Sequence, residues 1–109
     1  MADPVLIIWS IENIIKNSLE ASEYQKSIID INIYKINKIL NIDFVDNGKG
    51  ISKNNWKKIF DPGFTSKQRG WGLGLSLTRR IIQDLHKGKI YVVKSNSVGT
   101  LIRLQLKIN

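Results

Sequence analysis

The chain has no cysteine among its 109 residues, which excludes a disulfide framework and any thiolate metal site. Long apolar runs are also missing. Residues 5–9, Val-Leu-Ile-Ile-Trp, are far too few to span a bilayer. The opening Met1-Ala2-Asp3-Pro4 has no basic leader. Together these predict a soluble chain suited to a reducing cytoplasm, with any inner-membrane anchor belonging to other parts of a parent protein. Histidine is nearly absent: His86 is the only one, and a capping or packing role before Lys87-Gly88 accounts for it.

Acidic residues are scarce, 9 against 17 basic, giving a net charge of +8. Lysine outnumbers arginine 13 to 4. The lysines, including Lys16, Lys26, Lys35, Lys49, Lys57 and Lys87, are scattered without a long run. Heavy use of Lys, Ile and Asn matches A/T-rich codons, so genome bias and a solvated surface explain the charge better than a nucleic-acid patch. No nucleic-acid partner is expected, although a phosphate-rich ligand gains from the same field. With 42% hydrophobic and 24% charged residues, the chain has the composition of one soluble globular domain.

Apolar residues at helical spacing (Leu6 or Ile7, Ile11, Ile14 or Ile15, Leu19) predict a helix over about 5–21, with Asp3-Pro4 as its start. From Ile28 the period becomes two. Ile29, Ile31 and Ile33 alternate with polar residues, and Leu40, Ile42 and Phe44 do so over 38–46, so a hairpin turning at Asn37-Lys38 is expected. A short helix is expected within 52–60, a turn-rich loop over 61–70, and a second helix from near Gly72 to His86 carrying Leu73, Leu77, Ile81 and Leu85 on one stripe. Two final strands, 89–95 and 100–108, flank a turn at 96–99. One-sided apolar strands joined by tight turns, with two amphipathic helices, predict a two-layer α/β sandwich with both helices on one face of the sheet.

Three groups carry chemistry. Asn13 and Asn17, four apart, share a helix face. Their amide oxygens are hard neutral ligands suited to Mg²⁺, though such a pair is more often a solvated polar face. Asp46-Asn47-Gly48-Lys49-Gly50 puts an acid at a strand end before two glycines, which permits close backbone approach to a flat ligand, or makes a plain turn. Gly70-Trp71-Gly72-Leu73-Gly74-Leu75 opens a helix with alternating glycines that cost about 1 kcal/mol each against alanine inside a helix. They are better explained by backbone N–H groups facing phosphates at a helix N-terminus. The spacing matches neither the dinucleotide fingerprint nor a Walker loop.

In this order the three groups closely resemble the GHKL superfamily of histidine kinases, type II topoisomerases, Hsp90-type chaperones and mismatch-repair ATPases, and most of all the sensor histidine kinases. The resemblance covers nearly the whole chain. Residues 13–21 resemble the N box, 46–50 the G1 box, 56–67 the F box with Phe60, Pro62 and Phe64, and 70–75 the G2 box, while Gly99-Thr100 matches the pair in the last hairpin.

The resemblance implies a Bergerat-type fold with a mostly antiparallel mixed sheet, and residues 1–109 as one ATP-binding catalytic domain. The phosphoacceptor, dimerisation and sensor regions would lie elsewhere in a parent kinase. It implies ATP and Mg²⁺ as cofactors. Asp46 would accept from the adenine amino group with Thr100 supporting that edge. Gly48 and Gly50 would line the ring, and Asn17 would bind Mg²⁺ with Asn13 beside it. Gly70, Gly72, Leu73, Gly74 and Leu75 would offer backbone to the phosphates. Residues 60–70 would form the lid from Phe60, with Lys67 or Arg69 reaching the terminal phosphate.

The partners implied are the phosphoacceptor domain of the same parent and, through it, a response regulator. Hydrolysing members carry a Glu where this chain has Asn13. Glu12 lies about 100° around the helix, so a histidine kinase is favoured over an ATPase. Alternatives are a serine kinase of the same superfamily and a non-catalytic ATP-gated interaction module. Glu20 departs from the family's Lys, which leaves that phosphate contact unfilled. Trp9 is expected in the core and Trp56 beneath the lid. Trp71 is expected either over the nucleotide or as a lid anchor.

Overall fold

The computed structural model describes residues 4–21, 28–48, 50–61, 72–85 and 87–107, with the side chains of 17–21, 72–74 and 85 outside that description. In chain order these form helix α1 (Pro4–Ala21), strands β1 (Ile29–Ile36) and β2 (Ile39–Asp46), and two single 3₁₀ turns (Lys53–Asn55 and Lys58–Phe60). Helix α2 (Gly72–Arg80), a π-helical turn (Ile81–Leu85) and strands β3 (Lys89–Asn96) and β4 (Gly99–Lys107) complete it. The sheet order is β1-β2-β4-β3, and every described pairing is antiparallel. The sheet expected to be mostly antiparallel is wholly so among the described residues.

Tight turns set this order. Ile36 pairs with Ile39, so Asn37 and Lys38 alone make the first turn. Asn37 takes φ 56°, a left-handed value that asparagine tolerates and that suits the twist of a two-residue hairpin. In the second hairpin the Asn96 side chain accepts a hydrogen bond from the Val98 N–H at 2.9 Å, closing the turn locally. The two hairpins then join through β2 and β4 at the centre of the sheet.

Because strand side chains alternate, one face gathers Ile42, Phe44, Ile90, Val92, Ile102, Leu104 and Leu106. Against it pack Ile14 of α1, Leu75 of α2, Ile82 of the π turn, and Ile59 and Phe60. Phe44, Ile14, Ile82 and Leu104 are fully buried. The two-layer sandwich with helices on one face is therefore the observed architecture. The layer does not reach far over β1: Ile33 shares the face of Ile42 yet stays 65% exposed.

The opposite face is held by polar side chains. Arg103 donates to Asp43 through Nε at 2.8 Å and Nη2 at 3.0 Å, and the Tyr34 hydroxyl donates to the same carboxylate at 3.1 Å. Gln105 donates to Asn41 at 2.8 Å two pairs further along. These bonds cross β1, β2 and β4 and bury Asn41 and Asp43 under the long side chains of their neighbours.

Two expectations change in detail. The helix expected to run unbroken to His86 is α-helical only to Arg80, then widens into the π turn, which Gly88 closes by donating its N–H to the Ile82 carbonyl at 2.7 Å; His86 itself lies outside the described residues. The stop falls at Lys87-Gly88 as expected, but Lys87 holds the left-handed φ of 55°. Gly88 is required for proximity, since a Cβ there would lie 2.2 Å from the Gln105 carbonyl oxygen. The single short helix expected within 52–60 is two 3₁₀ turns, with the Trp56 indole folded back to donate to the Ile51 carbonyl at 2.9 Å.

The Arg103 guanidinium holds the Asp43 carboxyl below the usual carboxylate range, against the opposing effect of burial and with help from Tyr34. A depressed carboxyl binds its proton less readily folded than unfolded. Its contribution is complete above the ordinary value of about 4 and is lost as pH falls through the folded value. Urea midpoints measured from neutral pH downward should drop less steeply for Asp43→Asn than for the wild type. Parallel profiles would show that the pair does not contribute.

Candidate functional site

The chain leaves the sheet at Asp46, whose side chain lies on the helix-facing side with Ile42 and Phe44. Its cross-strand partner is Thr100, and both are buried. One Asp46 carboxylate oxygen accepts from the Gly48 N–H at 2.8 Å. The other has no partner among the described residues. Asn47 accepts from the Ile28 N–H at 3.0 Å, fastening the loop to the start of β1.

Glycine allows this loop to sit directly on the β3–β4 turn. Gly50 takes φ 86°, and a Cβ there would lie 2.1 Å from the Asn96 carbonyl oxygen. Gly99 takes φ 154°, and its Cβ would lie 2.0 Å from the Asp46 carbonyl oxygen. No side chain fits at either point, so Gly50, expected to approach a ligand, and Gly99 both bring backbone against backbone.

Ser95 is a residue that strand alternation points the wrong way. With Ile90 and Val92 facing inward, an unbroken strand would turn Ser95 outward. A bulge between Val92 and Lys94 shifts the parity, so Ser95 pairs with Thr100 on the inward face. Its hydroxyl accepts from the Ile51 N–H at 2.6 Å and lies 2.7 Å from the Thr100 hydroxyl. When Ser95 donates in that pair, the Thr100 hydrogen is available to a ligand beside Asp46.

The helical layer faces the same side of the sheet. Asn13, on α1, donates its amide nitrogen to the Trp9 carbonyl at 2.9 Å. Only the nitrogen can serve a carbonyl, so the amide oxygen remains the ligating atom. Asn17 lies one turn further along α1, and its side chain is outside the described residues. Helix α2 begins at Gly72, as the glycine pattern predicts, so the N–H groups of 72–75 belong to the first turn, where no intrahelical acceptor exists. Leu75 itself is buried in the core.

Phe60, expected at the head of the lid, is 2% exposed and packs in the core with the Arg79 guanidinium 5.9 Å above its ring. Trp9 is half-buried, and Trp56 packs half-buried against the core. Lys67, Arg69, Gly70 and Trp71 lie outside the described residues. The structure thus brings Asp46, Gly48, Gly50 and Thr100 together at one end of the sheet.

The arrangement suits a ligand with one hydrogen-bonding edge and one anionic end. Asp46 and Thr100 address the edge, and a helix N-terminus favours the anion. Among the described residues no three His, Cys, Asp or Glu side chains cluster to cage a metal. A divalent ion here would rely on amide oxygen, water and the ligand's own phosphates. Among the described residues no helix is long and apolar enough to cross a membrane.

The model of the histidine kinase-, DNA gyrase B-, and HSP90-like ATPase family matches residues 2–109. Sporulation kinase B of Bacillus subtilis is 33% identical over 104 residues, which is 95% of this chain and 24% of that protein. The catalytic domain of histidine kinase ThkA, in a nucleotide-free crystal form, superposes with a TM-score of 0.86 at 31% identity, over 97% of this chain and 68% of that one. ThkA in complex with the response regulator TrrA gives a TM-score of 0.83 at 28% identity, over 99% of this chain and 30% of that one. The chain therefore spans about a quarter of the curated relative's length.

Ser95→Ala removes the acceptor of a backbone N–H and the partner of Thr100. It should lower unfolding free energy by about 1–2 kcal/mol, read as a lower urea midpoint at unchanged slope. An unchanged midpoint would mean that the Ser95 bonds do not secure the 46–51 loop.

Proposed function

The chain belongs to the histidine kinase-, DNA gyrase B-, and HSP90-like ATPase family, as an ATP-binding domain of its histidine kinase branch, and we propose that it holds Mg·ATP and donates the γ-phosphate to a histidine other than His86 in a two-component sensor kinase. The observation that supports this reading is the pairing of Asp46 with Thr100 at the sheet end, with one Asp46 oxygen committed to Gly48 and the other without a partner among the described residues.

That second oxygen accepts from the adenine amino group, and a carboxylate discriminates against guanine, which offers a carbonyl there. Thr100, backed by Ser95, supports the same edge. Gly48 and Gly50 line the ring where no side chain intrudes, with Phe60 as a further candidate contact. The backbone N–H groups of Gly70, Gly72, Leu73, Gly74 and Leu75 would serve the phosphates, with Lys67 or Arg69 as the residue for the terminal one. Asn17 would hold the Mg²⁺ with Asn13 beside it. When bound, that ion offsets phosphate charge.

Transfer then rests on positioning and charge neutralisation. Asn13 has no proton-accepting group of useful basicity, and its nitrogen is bound to Trp9. Nothing at that position activates water, which supports transfer to an incoming imidazole over hydrolysis. The acceptor histidine and the response regulator it serves are partners of the parent kinase.

Titration calorimetry with a non-hydrolysable ATP analogue and Mg²⁺ tests the site. Asp46→Asn should weaken binding at least about tenfold, because a charged acceptor is replaced by a misdirected donor. Equal affinity of the two proteins would overturn the assignment of Asp46. Incubation of this chain with ATP and a separately supplied histidine-bearing helical hairpin should give acid-labile phosphate. Acid-stable phosphate would instead place the chain with the serine kinases of the superfamily.

A further inference from the structure

A second groove lies away from Asp46, along the free edge of the sheet. It has a volume of about 510 Å³ and runs between β3, the two 3₁₀ turns and the helical layer. Three consecutive β3 residues, Ile90, Tyr91 and Val92, line it. Side chains of consecutive strand residues point to opposite faces. A wall containing all three is therefore the strand's edge, with its backbone. Among the described residues β3 has no neighbour other than β4. In an antiparallel pair every second residue turns its N–H and C=O away from its partner, so among the described residues this wall presents unpaired donors and acceptors. The bulge that disturbs β3 begins only after Val92.

The opposite wall is basic. Lys53, Lys57 and Arg79 line the groove, and among the described residues no carboxylate does. Lys53 stands over the Trp56 ring at 5.6 Å, and Arg79 has one loose counter-ion, Asp61 at 3.8 Å. Trp56 and Phe60 also line the groove.

We propose that this groove is a docking site for an extended acidic peptide segment, which adds as a strand to the free edge of β3 between residues 89 and 92 and sets its carboxylates against Lys53, Lys57 and Arg79. The free edge calls for a peptide backbone, and the wall of cations without acids calls for negative charge. A small anion would use the second feature and leave the first unmet. The groove shares Trp56, Lys57 and Phe60 with the stretch that resembles the F box, but none of its lining residues is Asp46, Gly48, Gly50 or Thr100, so the two sites are tested separately.

The test uses this chain and a short, fluorescently labelled peptide alternating glutamate with valine, followed by anisotropy. Saturable binding that weakens as salt rises is expected. A peptide of the same sequence, N-methylated at alternate positions so that it cannot pair with an edge, should bind at least about tenfold more weakly. So should the wild-type peptide to a Lys53→Glu/Lys57→Glu variant, whose melting temperature should be unchanged because both side chains are exposed. Absence of saturable binding at low salt would overturn the proposal. So would equal binding of the N-methylated peptide, which would reveal a site for anions of any kind. A lysine–valine peptide binding as tightly as the glutamate one would also contradict it, and both of these controls stand on the wild-type chain whatever the variant does.

Discussion

The cross-strand pairing of Asp46 with Thr100 is the constraint on which the rest depends. A carboxylate at a strand end is common and says little. Here it faces a hydroxyl across the central pair of strands, on the side covered by the helices, and its register cannot slip without turning Ile42, Phe44, Ile102 and Leu104 out of the core. Packing of the apolar face and placement of the polar pair are one geometric fact. The backbone contacts at Gly50 and Gly99 then press the loop after Asp46 onto the turn before Thr100, so the opening is bounded by main chain that cannot retreat.

From that pair outward each layer constrains the next. The β3 bulge brings Ser95 under Thr100, and Ser95 holds the Ile51 N–H. Ile51 in turn offers its carbonyl to Trp56, which packs against the core beside the 3₁₀ turns. On the far face the Tyr34–Asp43–Arg103 bonds lock three strands without help from a second layer. The sheet is thus stiff on both sides, which is what a site built from strand ends and helix N-termini needs if its donors are to meet a ligand without reorganisation.

Much of this was legible in the residues. The period-two strands, the tight turns and the helix opening at Gly72 are local properties, and they sufficed for the order of elements and the sandwich. Asp46 and Gly50 stood out only as an acid before glycines, a pattern that also makes a plain turn, and Thr100 only through the resemblance to the family. Ser95 was not legible: alternation from Ile90 and Val92 assigns it to solvent, and a bulge is a property of paired strands that one strand does not announce. The π turn after Arg80 was hidden for a similar reason, since Leu73, Leu77, Ile81 and Leu85 fit an unbroken helix, and the widening depends on how Gly88 meets β4. Nor did strand alternation show that Ile33 would stay exposed, because that depends on how far the helical layer reaches.

The central claim is that the sheet end at Asp46 and the first turn of α2 receive one nucleotide together. Backbone amide shifts in a nitrogen-labelled sample, recorded while a Mg-bound ATP analogue is added, test it most directly. The largest changes are expected at Gly48, Gly50, Thr100 and residues 72–75, rising together along a single saturation curve, with the guanine analogue leaving those amides unmoved at the same concentration. Changes confined to other surfaces, or separate curves for the sheet end and for α2, would contradict it.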